Sequence, residues 1–391
     1  MKKILTLVLL VLTSLTFSQT KTITGVIKDA TSSLPIESVS ISISNSSLGT
    51  ISNEEGKFRI ILPENKSTLE FSHLYYTIES YVVKANDTEI EIFLTPKSFV
   101  LEEVVINGKP GKDLLSDALV ASKDKLEKSI VLNTYYREFV NVDGKYTSFS
   151  EGLLDYYVKR KSGTSDLHVK QSRVFDLKDE NATEREKAIQ SINLNDVREA
   201  VINAYTFKGL TNILKSEHYY FGVETKTEAN GNSIEIITIE PKENVEEQMI
   251  YTGTVVYDSK TKLILDIDIQ FSPEHKKYNK VRNLLIAKAK INDFGRKTKF
   301  KIDGDKYVMI YNQIKINFYV KFGKLINNTF ESVYDLTVLD YKEGEFKLDK
   351  SKKYKESSLF DNGNKYTEEF WKKYNVVLLS DAEEKIIKSL K

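Results

Sequence analysis

Between Ile23 and Leu94, short alternating segments recur at intervals of roughly ten residues, and no apolar stripe at helical spacing interrupts them. A chain with that rhythm has few ways to bury one face of every segment, and a small antiparallel sandwich is the economical one. Ile23-Thr24-Gly25-Val26-Ile27 runs into the polar pair Lys28-Asp29, as a strand runs into a turn. In Val39-Ser40-Ile41-Ser42-Ile43 every second residue is β-branched, giving one apolar and one polar face. Residues 49–60 set two extended pieces around Asn53-Glu54-Glu55-Gly56, with Gly56 free to take a positive φ, and this predicts a hairpin. Segments at 69–73, 81–83 and 90–94 complete the set.

Gly25-Val26-Ile27, Pro35-Ile36 with Val39-Ser40-Ile41, the corner from Gly49-Thr50 to Gly56-Lys57-Phe58, and the closing Leu101-Glu102-Glu103-Val104-Val105-Ile106 carry a resemblance when taken together. They are similar to the carboxypeptidase-D regulatory-like domain that precedes the plug of TonB-dependent outer-membrane receptors in Bacteroidetes. The resemblance implies an Ig-like or prealbumin-like β-sandwich in an envelope setting, at residues 19–95. It brings no catalysis, because this is the accessory domain and not the peptidase. One departure is His73-Leu74-Tyr75-Tyr76, where the family carries an Ile-Gly-Tyr-like corner. The chain beyond residue 112 is too short for a receptor barrel and contains no plug-like stretch, so the resemblance stops at the linker.

Met1-Lys2-Lys3, the apolar run at 4–15 and the small residues Thr16 and Ser18 spell a secretory signal at 1–18, with cleavage expected after Ser18. That run is shorter than the ~20 residues needed to span a bilayer. The mature chain is therefore expected in the periplasm or at the outer membrane, held there through partners. With no cysteine, disulfides and thiolate metal sites are excluded, and packing must carry stability through 22 Tyr and 19 Phe. The balance of 57 basic against 56 acidic residues gives no electrostatic footprint for nucleic acid.

Residues 96–112 hold Pro96, Gly108, Pro110 and Gly111 and read as a linker. From 113 to 391 the pattern predicts a larger antiparallel β-rich α+β domain. Apolar residues at helical spacing after Asp113, a plausible N-cap, predict a first helix. Strands flanking Val142-Asp143-Gly144-Lys145, Asn230-Gly231-Asn232 and residues 258–262 predict three hairpins. Helices are expected at 182–204 and 209–216 with a break near Lys208, strands at 297–302, 306–322 and 330–341, and helices at 368–374 and 381–390. Long hairpins with helices at one end suggest a curved sheet or half-barrel, similar in outline to periplasmic lipoprotein carriers.

No residue pattern assigns a catalytic, cofactor-binding or metal site. His73, His168, His218 and His275 begin no metal-binding spacing. Asp266 and Asp268 share one strand face, as carboxylates do in acid–base work. With Leu265, Ile267 and Ile269 as the buried face, however, they turn to water. Asp303-Gly304-Asp305 lacks the further oxygens of a calcium loop and reads as a turn. Within Tyr135-Tyr136-Arg137-Glu138-Phe139 only one charge of the doublet can point inward, and an inward Arg137 requires a carboxylate. Phe370-Trp371-Lys372-Lys373-Tyr374 is either a partner anchor or the cap of a sheet edge. The expectation is a non-enzymatic envelope protein that binds or scaffolds a protein partner and needs no cofactor. A carrier of a lipid or other apolar ligand, and a hydrolase of unrecognised site, are the alternatives.

Overall fold

The computed structural model describes residues 20–63, 67–100, 109–126, 129–159, 164–176, 183, 195–246, 249–360 and 367–390. The signal segment at 1–18 and the Leu101 to Ile106 motif lie outside them. The chain divides into two compact units, Met1–Pro96 with Glu369–Leu378, and Lys97–Glu368 with Leu379–Lys391. The stretch from 113 to 391 is thus interrupted by a short return to the first unit.

The first unit holds β1 (Lys21–Asp29), β2 (Ser40–Ile43), β3 (Gly49–Ile51), β4 (Lys57–Leu62), β5 (Thr68–His73), β6 (Tyr76–Val82) and β7 (Glu89–Leu94). They form two sheets, β4-β1-β7 and β3-β2-β5-β6. The alternation fixes which side chains meet: Ile23, Ile27, Ile41, Phe58, Ile60, Leu69, Phe71 and Ile92 share one core. Two details depart from expectation. β1 and β7 run parallel, so the sandwich is not wholly antiparallel. The segments around Gly56 are not a hairpin, because β3 pairs with β2 while β4 pairs with β1 in the other sheet.

Side-chain hydrogen bonds drive that switch of sheets. Ser52 Oγ accepts from the Val39 amide at 2.9 Å and donates to the Ile36 carbonyl at 2.8 Å. Asn53 Oδ1 accepts from the amides of Glu55 and Lys57, and Gly56 turns with φ +69°.

Gly25 lies opposite Ile90, where a Cβ would come within 2.2 Å of the Ile90 carbonyl oxygen and 2.8 Å of the Phe58 ring. Gly25→Ala is therefore expected to destabilise this unit by about 1–3 kcal/mol. Trp371, the single tryptophan, is buried within the returning segment of the same unit, so its fluorescence in a urea titration reads the loss. That segment, with helix α4 (Glu368–Trp371), covers the edge strand β4. Asn375 Oδ1 accepts from the Ile61 amide at 2.7 Å, and Arg59 donates to the carbonyls of Tyr374 and Lys372.

The second unit is built on β8 (Phe99–Val100), β9 (Ile130–Val142), β10 (Lys145–Val158), β11 (Ser165–Asp176), β12 (Tyr219–Glu228), β13 (Ser233–Pro241), β14 (Tyr251–Asp258), β15 (Ile264–Phe271), β16 (Arg282–Asn283), β17 (Lys288–Asp303), β18 (Lys306–Phe322) and β19 (Ile326–Glu343). These form one 12-stranded sheet in the order β11-β10-β9-β19-β18-β17-β15-β14-β13-β12-β8, with β16 paired to β17. Every pairing is antiparallel. Asp143 and Gly144, at φ 50° and 86°, make the two-residue turn between β9 and β10. Part of the expected linker, β8, is an edge strand of this sheet.

Helix α1 (Gly111–Lys125) starts before Asp113, which sits in its first turn and not at its N-cap. Of the helix expected at 182–204, residues 182 and 184–194 lie outside the described residues. The remainder is a short 3-10 turn, Val197–Glu199, and α2 (Ile202–Thr206), followed by α3 (Lys208–Lys215). α1, α2 and α3 pack on one sheet face through Leu115, Leu119, Tyr205, Leu210 and Ile213 against Ile237, Val255, Tyr257, Phe300 and Leu336. A final helix, α5 (Asp381–Ser389), brings Ile387 against Phe139 and Phe149.

Candidate functional site

Register places a buried carboxylate and a half-buried guanidinium in one row across the helix-bearing face. Following the pairings, Glu138 stands opposite Tyr334, Tyr334 opposite Ile314, Ile314 opposite Arg296, and Arg296 opposite Ile269. Three strand spacings of about 4.8 Å separate Glu138 from Arg296, too far for an ion pair. Each charge answers to its own surroundings.

Arg296 lies half-buried in the wall of a cavity of about 260 Å³ bounded by α2, α3 and strands β14, β15 and β17. Apolar side chains line most of it, among them Phe207, Leu210, Ile213, Tyr251, Ile267 and Phe294, with Thr298, Asn203 and Asn212 as the neutral polar contributions. The lining includes two cations, Arg296 and Lys208, and no acid. Nε of Arg296 has no hydrogen-bond partner, and its guanidinium has no carboxylate partner among the described residues. Its charge is over the Phe294 ring, 5.8 Å from the centroid, and Tyr334 and Tyr251 favour it electrostatically. Burial pulls its pKa below the usual guanidinium value.

The amino end of α3 meets the same guanidinium. Phe207, at its N-cap, holds the left-handed conformation with φ 50°, ψ 32° and offers no side-chain cap. Stacking on Phe300, at 5.3 Å between centroids, holds that strained residue in place. Gly209 sits so close that a Cβ there would be 3.4 Å from Arg296 Nη1. An uncapped helix start carries partial positive charge and free N–H groups. A partly desolvated cation set against it is unfavourable on both counts, and an anion between them relieves both.

Glu138 is satisfied differently. Its carboxylate accepts from Ser332 Oγ and Asn195 Nδ2, both at 2.7 Å, and from the Tyr136 hydroxyl at 3.1 Å. Burial raises its pKa, and these donors oppose the rise without cancelling it. The folded chain therefore holds the proton above the unfolded value of about 4.3, and the contribution of Glu138 to stability falls as pH climbs through that window. Glu138→Gln removes the buried charge. Its stability advantage over the parent in urea unfolding is expected to be greatest near neutral pH and to shrink toward pH ~4.

On the opposite face Arg137 is also buried, so both members of the doublet point into packed surroundings. The expectation that only one could do so assumed one covered face, whereas β9 is covered on both, by α5 on the Arg137 side. Arg137 Nε and Nη2 donate to Asp335 at 2.7 and 3.0 Å, and Nη1 donates to Glu383 of α5 at 3.0 Å. Burial works against this charge, but Asp335 and Glu383 outweigh it and raise the pKa. The row continues as a ladder of charges, Arg173, Glu151, Arg137 and Asp335, then Gln313, Lys297 and Asp268.

Asp268 ends that ladder 3.8 Å from Lys297, and Asp266 lies 2.5 Å from Lys299. Both carboxylates are thus paired across strands and outside the cavity. Leu265 is only partly buried, because a bulge between Val256 and Tyr257 puts Ile264 on the inward face instead. Asp303-Gly304-Asp305 turns β17 into β18 with Gly304 at φ 62°. His168 lies 3.8 Å from Asp155, His275 bonds Ser272 Oγ at 2.9 Å, and His73 packs on Tyr76. Among the described residues no three His, Asp or Glu side chains are grouped to hold a metal.

The first unit is identified by its own pattern, in which Gly25, the Gly56 corner and the strands from Ile23 onward fall where the sequence motifs stand. Residues 23–106 match the CarboxypepD_reg-like domain family. No curated protein matches the chain. Among solved structures, one of lipid–protein interactions in lipovitellin is 11% identical over 57% of this chain and 26% of that one, with a TM-score of 0.23. The LolA superfamily protein NE2245 from Nitrosomonas europaea is 9% identical over 60% and 94%, at 0.21. MucB in complex with MucA(peri) is 10% identical over 61% and 100%, at 0.18. Likenesses this slight do not bear on the cavity, which lies wholly outside the CarboxypepD_reg-like domain.

Proposed function

We propose that the protein is a non-enzymatic, exported envelope protein whose second unit binds a small amphiphile, an apolar body with one anionic group, in the cavity beneath α2 and α3. The observation that carries this reading is Arg296, a half-buried cation without a carboxylate partner among the described residues, its Nε buried and unbonded, at the wall of an apolar cavity and against the uncapped start of α3. Size narrows the ligand. The cavity of about 260 Å³ exceeds the ~150 Å³ that accepts a benzene ring and lies just under the ~300 Å³ lower bound of drug-sized sites. One short apolar chain with its head group fits that volume, and a multi-chain lipid anchor does not.

Ion pairing of Asp335, Glu383, Asp266 and Asp268 supports binding over hydrolysis, since each carboxylate already has a cationic partner. Export rests on the Met1-Lys2-Lys3 start and the apolar run after it. No described helix is long and apolar enough to cross a membrane. The CarboxypepD_reg-like domain serves in this reading as the unit that docks on an envelope protein partner.

The test is to produce the full chain in its native compartment, extract it with solvent and identify what was bound. A single class of small anionic amphiphile, absent from an Arg296→Met preparation, is expected. Efficient ester or peptide hydrolysis abolished by one carboxylate substitution would overturn the non-enzymatic reading.

A further inference from the structure

Two neighbouring hairpin tips of the second unit expose apolar side chains within a field of lysines. The first joins β16 to β17, closed by the Leu284 amide donating to the Ala287 carbonyl at 2.7 Å. Its tip shows Leu284 at 56%, Leu285 at 105% and Ile286 at 77% of full exposure. The second joins β18 to β19, where Phe322 and Leu325 flank Gly323 and are also exposed. Register brings the two together, because Lys288 at the foot of the first tip is opposite Lys321 at the foot of the second.

Charge singles out this end of the sheet. From Lys276 to Lys290 the sequence holds Lys276, Lys277, Lys280, Arg282, Lys288 and Lys290 with no acid, and Lys321 and Lys324 bracket the second tip. The whole chain carries a net charge of only +1, so the cluster is a local concentration. Lys280, Lys288, Lys290, Lys321 and Lys324 have no carboxylate partner among the described residues. A folding core gains nothing from a leucine and an isoleucine held fully in water. A hydrophobic tip collared by unpaired cations matches a surface that is apolar inside and negative at its boundary.

We infer that these paired tips form a membrane-docking edge, with Leu285 and Ile286 entering the acyl boundary of an anionic phospholipid surface while the lysines meet its head groups. An acidic protein face would answer the lysines as well, but apolar side chains standing out at a tip, not lying in a flat patch, suit insertion into an acyl boundary. The edge stands apart from the cavity and does not depend on what the cavity holds.

The test uses the full chain and sedimentation with vesicles of phosphatidylcholine alone or mixed equally with phosphatidylglycerol. Two variants accompany it, Leu285→Ser with Ile286→Ser, and Lys288→Ala with Lys290→Ala. All four side chains lie at an exposed tip or strand foot, and circular dichroism confirms that the fold is kept. Binding to the mixed vesicles and not to the neutral ones, weakened by salt, is expected. Each double variant should lower it by roughly tenfold or more. Equal binding by the parent and the tip variant would overturn the inference. So would failure of the parent to bind, and so would self-association abolished by the tip variant without any vesicle binding, which would make the edge a protein contact.

Discussion

Arg137→Met is expected to cost about 3–5 kcal/mol of the stability of the second unit. The substitution leaves Asp335, 7% exposed, and Glu383 without the cation that both address. At about 2–4 °C per kcal/mol for a unit of this size, the Tm should fall by roughly 10 °C. The loss is more than electrostatic. Glu383 Oε2 also accepts from the Ser380 amide, and Ser380 Oγ accepts from the Glu383 amide, closing a capping box at the start of α5. Arg137 therefore ties that helix start to β9, and amide exchange at 381–389 should accelerate before the sheet opens. Replacing the set together, Arg137→Met with Asp335→Leu and Glu383→Gln, should recover much of the stability, because no charge is left stranded and the introduced amide can keep the cap. Failure of the triple variant to improve on the single one would mean that the packing of Arg137 matters more than its charge.

Arg296→Met is expected to act in the opposite sense on stability and to abolish ligand selectivity. No carboxylate among the described residues pairs with this guanidinium, and the Phe294 ring and the neighbouring tyrosines offset its desolvation only in part, so exchanging it for an apolar side chain of similar length should raise the Tm of the unliganded protein. The same change should weaken an anionic amphiphile by about 10–150-fold, the equivalent of a charged hydrogen bond worth about 1.5–3 kcal/mol. A gain in stability coupled to a loss of binding marks a residue kept for function. If the Tm fell instead, Arg296 would have a structural partner and the cavity would lose its anion-binding argument.

The two substitutions also show which parts of the fold the sequence makes legible. Asp143-Gly144 fixes its hairpin locally, since two residues with positive φ decide the turn and the strand parity follows. Burial of the Arg137-Glu138 doublet on both sides is not legible, because Arg137 is held by Glu383, 246 positions away. The change of sheets at Asn53 is hidden for a similar reason: a polar corner looks alike whether the next strand pairs with the last or leaves it. Arg296 does leave a trace. Phe294, Arg296, Thr298 and Phe300 share one parity, against Lys297, Lys299 and Lys301 on the other, so one cation stands on the apolar side. Starting the strand at Lys297 cuts that pattern at the residue that matters, whereas β17 begins at Lys288.

In the function proposed, the cavity recognises an anionic head group on an apolar body through Arg296. Titration calorimetry of the full chain with decanoate and with decanol, identical in chain and different in charge, measures this directly. Decanoate should bind the parent at least about tenfold more tightly than decanol, and Arg296→Met should erase the difference. Equal affinity of the parent for the two, or a preference for decanoate that survives in Arg296→Met, would contradict the account.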